Sequence, residues 1–136
     1  LSSVFGVPSA LANLIPVSGA LPVVAGDIGI PKKLRWKSSG QLLTYSEILQ
    51  RSFGNFRFTW QYDECGISVE ENSPEEILDL AMEMLERCQA KAVYTDDDEL
   101  MQKQFQAHFK PGHYSYGAAS RVGREFLRNH QGLFRD

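Results

Sequence analysis

The chain has 136 residues, of which 43% are hydrophobic and 23% charged, with a formal net charge of −3. That length and composition point to one ordinary globular domain able to bury a core without disulfide or metal staples. No basic excess advertises nucleic acid or anionic lipid, although local basic clusters leave acidic substrates open.

Leu1 to Gly26 carries no charged residue, which raises the question of a membrane span, since a spanning helix needs ~20 predominantly apolar residues. Pro8, Pro16, Pro22, Gly6, Gly19 and the polar Asn13 interrupt the run, and no basic region precedes it. Neither a transmembrane helix nor a signal peptide is expected. The first residue is Leu within an apolar run, so a processed protein or a piece of a longer one is expected.

Leu1–Phe5 is read as the end of a helix closed by Gly6 in the left-handed conformation. Val7-Pro8 leads into Ser9–Leu14, short and apolar like a strand buried on both faces. Pro16, Ser18 and Gly19 break that strand into a loop, and Leu21–Ala25 is read as extended again. Ile30–Lys37, IPKKLRWK, is the dense basic stretch of the chain, and the SSGQ after it is a turn.

Four helices follow. Thr44 and Glu47 form a capping box, with Ile48, Leu49 and Phe53 on the buried side. Gly66–Val69 reads as a short strand. Ser73, Pro74 and Glu76 form the strongest cap: a side-chain acceptor, a proline where no donor is needed, and a glutamate reaching back. Ile77, Ala81, Met84, Leu85 and Cys88 then recur at helical spacing and are expected inside, leaving Glu75, Asp79, Glu83 and Glu86 outward. Thr95 caps the third helix, whose Asp96, Asp97 and Asp98 suit the positive end of its dipole better than a metal site. Leu100, Met101, Phe105 and Phe109 form its apolar stripe. Gly117–Asn129 is the last helix, with Ala119, Val122 and Phe126 on one side. Arg121, Arg124 and Arg128 form a basic edge read as surface solvation or inter-domain salt links rather than phosphate binding.

The pattern of strand, loop, helix, strand, helix is α/β. Only two strands read convincingly, so the chain is expected to be the tail of a larger α/β domain. Cys65 and Cys88 share no C-x-x-C or Cys/His cluster; two buried free thiols are expected rather than zinc or a disulfide.

In parallel α/β sheets, ligands sit outside the carboxyl ends of the strands. That places Asn13, Pro16, Ser18 and Gly19 at a candidate rim. Asn13 either offers its amide to a ligand or ties its own loop together. Lys32, stiffened by Pro31, is the preferred partner for a diphosphate, against a bland reading of Lys32, Lys33, Arg35 and Lys37 as a solvated turn. Trp36 is read as a half-buried core residue. His113, in the loop KPGHYSYG, is the one candidate general base; exposure without function is the alternative.

The segments FGVPSALANLIPVSG, DIGIPKKL, LLTYSEIL and GISVEENSPEEILDLAMEML, in that order, resemble successive blocks of one family. It comprises bacterial glycosyltransferases related to the GT-B enzymes and associated with surface-carbohydrate synthesis. The resemblance runs from about Phe5 through the C-terminal helix. It implies a C-terminal fragment of a Rossmann-like GT-B donor domain, few parallel strands with several helices, spanning residues 1–136 as a single α/β domain or a fragment of a larger nucleotide-sugar-binding domain. It further implies a nucleotide-sugar donor, a carbohydrate acceptor facing a separate N-terminal domain of the same protein, no cofactor, and cytoplasmic or membrane-peripheral action. The chain departs from GT-B enzymes in showing neither the Gly/Ser-rich phosphate loop nor a paired-glutamate motif, so catalysis by these residues alone is not expected. A nucleotide-sugar epimerase on the same scaffold and a non-catalytic interaction module, its apolar Leu1–Ala25 stretch buried against a partner chain, are the rival readings; the oligomeric state is open, with a homo-oligomer among the partners considered.

Overall fold

The computed structural model describes residues 5–17, 24–113 and 115–135. In chain order these form β1 (Ala10–Leu14), β2 (Ile28–Pro31), β3 (Lys33–Trp36), α1 (Tyr45–Gln50), α2 (Thr59–Glu64), β4 (Ile67–Glu70), α3 (Pro74–Cys88), α4 (Asp96–Gln106), β5 (Arg121–Val122) and α5 (Arg124–Asn129). Three strands lie parallel in the order β1-β2-β5, and β3 pairs antiparallel with β4. The architecture is mixed α/β. Among the described residues no helix is long and apolar enough to cross a membrane.

The strand β2 sits centrally, and all four of its residues are buried, as expected of a parallel strand covered on both faces. Ile28 pairs with Ala10 on one side and Arg121 on the other. Ile28 and Ile30 join Leu34, Tyr62, Ile67, Leu80, Phe105, Val122 and Leu127 in one apolar core. Gly123 is required by packing: a Cβ there would lie 2.8 Å from Ile30 Cγ2 and 3.1 Å from Leu80 Cδ1.

The three caps read from the sequence form as expected, at Thr44, Ser73 and Thr95, and each is a capping box, the last closed by Asp98. Each is local chemistry, with a side-chain oxygen accepting an otherwise unpaired backbone N–H while an acidic side chain three residues on returns the bond. Gly6 has φ 68°, the left-handed residue anticipated there, while Leu1–Val4 lie outside the described residues. Of the extension expected over Leu21–Ala25, positions 21–23 lie outside them too, and Val24–Gly26 forms a turn closed by Asp27 N–H on the Val24 carbonyl.

Several expectations are corrected. The basic run Ile30–Lys37 supplies the end of β2 and all of β3, with Lys33 and Arg35 paired to Glu76 and Glu70. The helix expected over Gly117–Asn129 begins only at Arg124, because residues 121 and 122 extend to pair with β2. The helix α2 had no sequence signal: Phe58 occupies its N-cap and no side chain of the usual capping types is present. Cys65 and Cys88 are free but exposed, not buried.

The largest correction concerns α3. Leu80 and Glu83 are its buried residues, whereas Ile77, Leu78, Met82 and Leu85 are exposed. Glu83 Oε1 accepts the Arg124 N–H at 2.6 Å, supplying α5 with the cap that Gly123 cannot, and Glu83 Oε2 accepts from the Tyr94 hydroxyl at 2.7 Å. The Arg121 guanidinium stacks on the Tyr94 ring at 3.9 Å, and Arg124 reaches Glu86, Glu125 and the Val93 carbonyl. Polar groups thus fasten α3 to α5, and the apolar side of α3 is left pointing the other way.

The outer edge of β5 is closed by a side chain. The Gln102 amide of α4 donates to the Val122 carbonyl at 2.5 Å and accepts the Val122 N–H at 3.1 Å. One amide therefore replaces a neighbouring strand and satisfies two buried backbone groups.

Candidate functional site

The strands β1 and β2 end together, Leu14 opposite Pro31, and their carboxyl ends form a rim. The Leu14 carbonyl accepts the Lys32 N–H at 3.1 Å, which holds the exits of β1 and β2 side by side. Asn13 adopts φ 56°, a left-handed conformation that asparagine tolerates better than most side chains. The Ile15–Pro16 peptide is cis.

The organiser of this rim is Asn72, a residue the sequence reading did not single out. Its Oδ1 accepts the Asn13 N–H and its own N–H donates to Asn13 Oδ1, both at 2.6 Å. Its Nδ2 donates to the Pro31 carbonyl at 2.9 Å, and the residue is buried. Asn72 therefore clasps the ends of β1 and β2 from the approach to α3. Asn13 is the tie in this pair: its carbonyl oxygen serves Asn72, which shapes the rim.

Lys32 lies on the same rim, with its side chain 22% exposed and Nζ 4.0 Å from Glu71, whose own side chain is 78% exposed. A contact so long and so wet holds the lysine weakly. Lys33, by contrast, is engaged with Glu76 at 3.0 Å. Glu76 also accepts the Ser73 N–H and lies 3.2 Å from His130 Nε2. Burial alone would raise the Glu76 carboxyl; the hydrogen bonds from Ser73 and Lys33 outweigh it and hold its pKa below the usual value. Burial, together with the Lys33 charge, lowers the His130 pKa, so at neutral pH its ring is uncharged and Nε2–H donates to Glu76. Asn13, Pro16 and Lys32 thus belong to one rim, while Ser18 and Gly19 lie outside the described residues.

His113 is elsewhere. It lines a cleft of about 550 Å³ with Ser46, Asn55, His108 and Lys110 among its walls, and the lining shares no residue with the rim. Its Nδ1 accepts the Ser115 N–H at 3.0 Å and its ring packs on Phe109. That bond puts the neutral ring's proton on Nε2, where the ring presents a donor and not the lone pair a general base requires. His108, another wall of that cleft, donates Nε2–H to the Phe134 carbonyl, which can only accept, and its Nδ1 then accepts from the Ser46 hydroxyl at 3.4 Å. The volume is that of a small-molecule site.

The arginines expected as a basic edge are held in salt links within the chain. Arg121 meets Glu99, Arg124 meets Glu86 and Glu125, and Arg128 meets Asp98 and Glu125. Compared with protein-family models, curated proteins and solved structures, the chain matches none.

Proposed function

We propose that the chain is part of a glycosyltransferase that moves a sugar from a nucleotide-sugar donor to a carbohydrate acceptor, and that this segment contributes to donor binding. The observation that supports the reading is the rim itself: parallel strands whose carboxyl ends, pinned by Asn72, carry the half-buried Pro16 and a Lys32 held loosely by a 4.0 Å contact to Glu71. On this reading Asn13 positions the rim and Lys32 contacts the donor diphosphate.

In the reaction, the acceptor hydroxyl attacks the anomeric carbon. The bond from that carbon to the diphosphate oxygen breaks, and the nucleoside diphosphate leaves with the bonding electrons. The hydroxyl proton passes to a base supplied from outside these 136 residues. Lys32 opposes the negative charge that grows on the departing diphosphate.

The test is a calorimetric titration of the natural polypeptide with UDP- and GDP-sugars, wild type against Lys32→Ala. Loss of one diphosphate contact of this kind is expected to weaken binding about tenfold, or ~1.4 kcal/mol, and Lys32→Arg should recover part of it. Wild-type protein that binds no nucleotide sugar, or identical isotherms for Lys32→Ala, would overturn the assignment. Conversion of a free nucleotide sugar without acceptor would favour an epimerase instead.

A further inference from the structure

The helix α3 is amphipathic in the reverse sense. At ~100° per residue its side chains fall into two opposed faces. One holds Glu76, Leu80, Glu83 and Arg87, with Glu83 only 1% exposed. The other holds Ile77, Leu78, Ala81, Met82, Leu85 and Cys88, with Leu78 61% and Met82 and Leu85 each 48% exposed. A helix that turns carboxylates inward and a continuous apolar stripe outward is not finished by the packing described so far.

The direction of that stripe is fixed by what α3 touches. It crosses β1 and β2 and is tied through Glu83 and Glu86 to α5, which follows β5 at the far end of the sheet. The face opposite α5 therefore looks past β1, beyond the sheet.

The edge of β1 gives a second and independent observation. Among the described residues β1 pairs only with β2. The Ser9 carbonyl accepts the Ile28 N–H, and the strand's alternation then turns the N–H and C=O of Ala10 and Ala12 outward. Sheet edges that meet water are ordinarily guarded by lysine, proline, a bulge or a cover. At the opposite edge the Gln102 amide does this; along Ala10-Leu11-Ala12 there is neither charge nor proline, and the shift of register in β1 falls after Leu11, toward Leu14.

We infer that β1 and α3 together form a docking surface for one further βα unit, a strand that runs parallel beside β1 and a helix that lays an apolar face along Ile77, Ala81 and Leu85, the residues of the stripe that lie opposite the Glu83 and Glu86 ties to α5. A parallel neighbour joined by a right-handed crossover delivers its helix to the side of the sheet that α3 occupies, so one unit satisfies both the open edge and the apolar stripe. Positions 1–4 and 18–23 are the longest runs outside the described residues, too short for a strand and a helix, so the unit is supplied by polypeptide beyond these 136 residues. The inference rests on packing and edge chemistry and stands apart from the donor-binding proposal.

Two exposed thiols make the test direct. Cys88 lies at the end of the α3 stripe, 3.8 Å from Met84 Sδ, and Cys65 caps α2. In the natural polypeptide, maleimide labelling is followed site by site, native against urea-unfolded. Cys65 is expected to react at close to its unfolded rate and Cys88 at least tenfold more slowly, at every protein concentration tried. Hydrogen exchange should show the Ala10 and Ala12 amides protected alongside Ile30. Free labelling of Cys88, or exchange of both alanine amides at loop rates, would overturn the inference. Protection that fades on dilution would overturn it in favour of a second copy of the chain. Donor binding enters none of these readouts, so either proposal can fail alone.

Discussion

The pair formed by Asp98 and Arg128 sets a stability that depends on pH in a defined direction. Asp98 is buried, at 3% exposure, and Arg128 grips it with Nε on Oδ1 at 2.8 Å and Nη2 on Oδ2 at 2.7 Å. The second oxygen also accepts the Thr95 N–H at 2.8 Å, closing the α4 capping box. Arg128, first, and Thr95 hold the Asp98 carboxyl at about 2 instead of 3.8. A depression of that size corresponds to about 2 kcal/mol, and allowance for solvent around Arg128, 37% exposed, reduces it to roughly 1–2 kcal/mol. In Asp98→Asn the new amide must present an N–H to the guanidinium or to the Thr95 N–H, so the variant should lose at least that much at pH 7. Because the folded pKa is depressed, the contribution is complete above the unfolded value and is lost as pH falls through the folded one. The gap between wild type and variant should therefore be constant from about pH 5 to 7 and narrow below about pH 4. Urea unfolding followed by Trp36 and Trp60 fluorescence measures it. Equal stabilities at pH 7, or a gap undiminished near pH 2, would refute the reasoning.

Gln102→Leu keeps the volume but strands the buried N–H and C=O of Val122. A loss of roughly 2–4 kcal/mol is expected in the same assay, with faster exchange at the Val122 amide, and an unchanged midpoint would show that the edge needs no cap. Gly123→Ala drives a methyl into Ile30 and Leu80 and should cost about 1–3 kcal/mol by overpacking; a neutral or stabilising result in thermal unfolding would mean the strand-to-helix join relaxes freely.

What could be read from the sequence divides by the range of the chemistry involved. The caps at Thr44, Ser73 and Thr95 need only four consecutive residues, and all three form as read. The rim of β1 was legible because Gly6 and the prolines punctuate a short apolar run. Lys33 and Arg35 could not be recognised as strand residues, since their partners Glu76 and Glu70 lie 43 and 35 positions away. Nothing in the local sequence marks Asn72, since its role depends on where β1 and β2 end. Of the α3 residues expected inside, Met84 packs against the core, but Glu83 is buried where an outward carboxylate was expected, because its partners Arg124 and Tyr94 lie 41 and 11 positions away. β5, at two residues, is too short to show any alternation. His113 was picked for its chemistry, but the Ser115 N–H that sets its tautomer is a matter of loop geometry.

The Asn72 clasp also bears on the order in which the molecule takes shape. It joins residues 59 positions apart at Asn13 and 41 apart at Pro31, so closing it requires long stretches of chain to be gathered first, an entropic toll that slows folding. A ribosome must deliver Asn72, 59 positions after Asn13, before the two strand exits can be locked. Contacts of that separation are expected to close after the local turns and caps, so the rim should be among the later parts of the molecule to set.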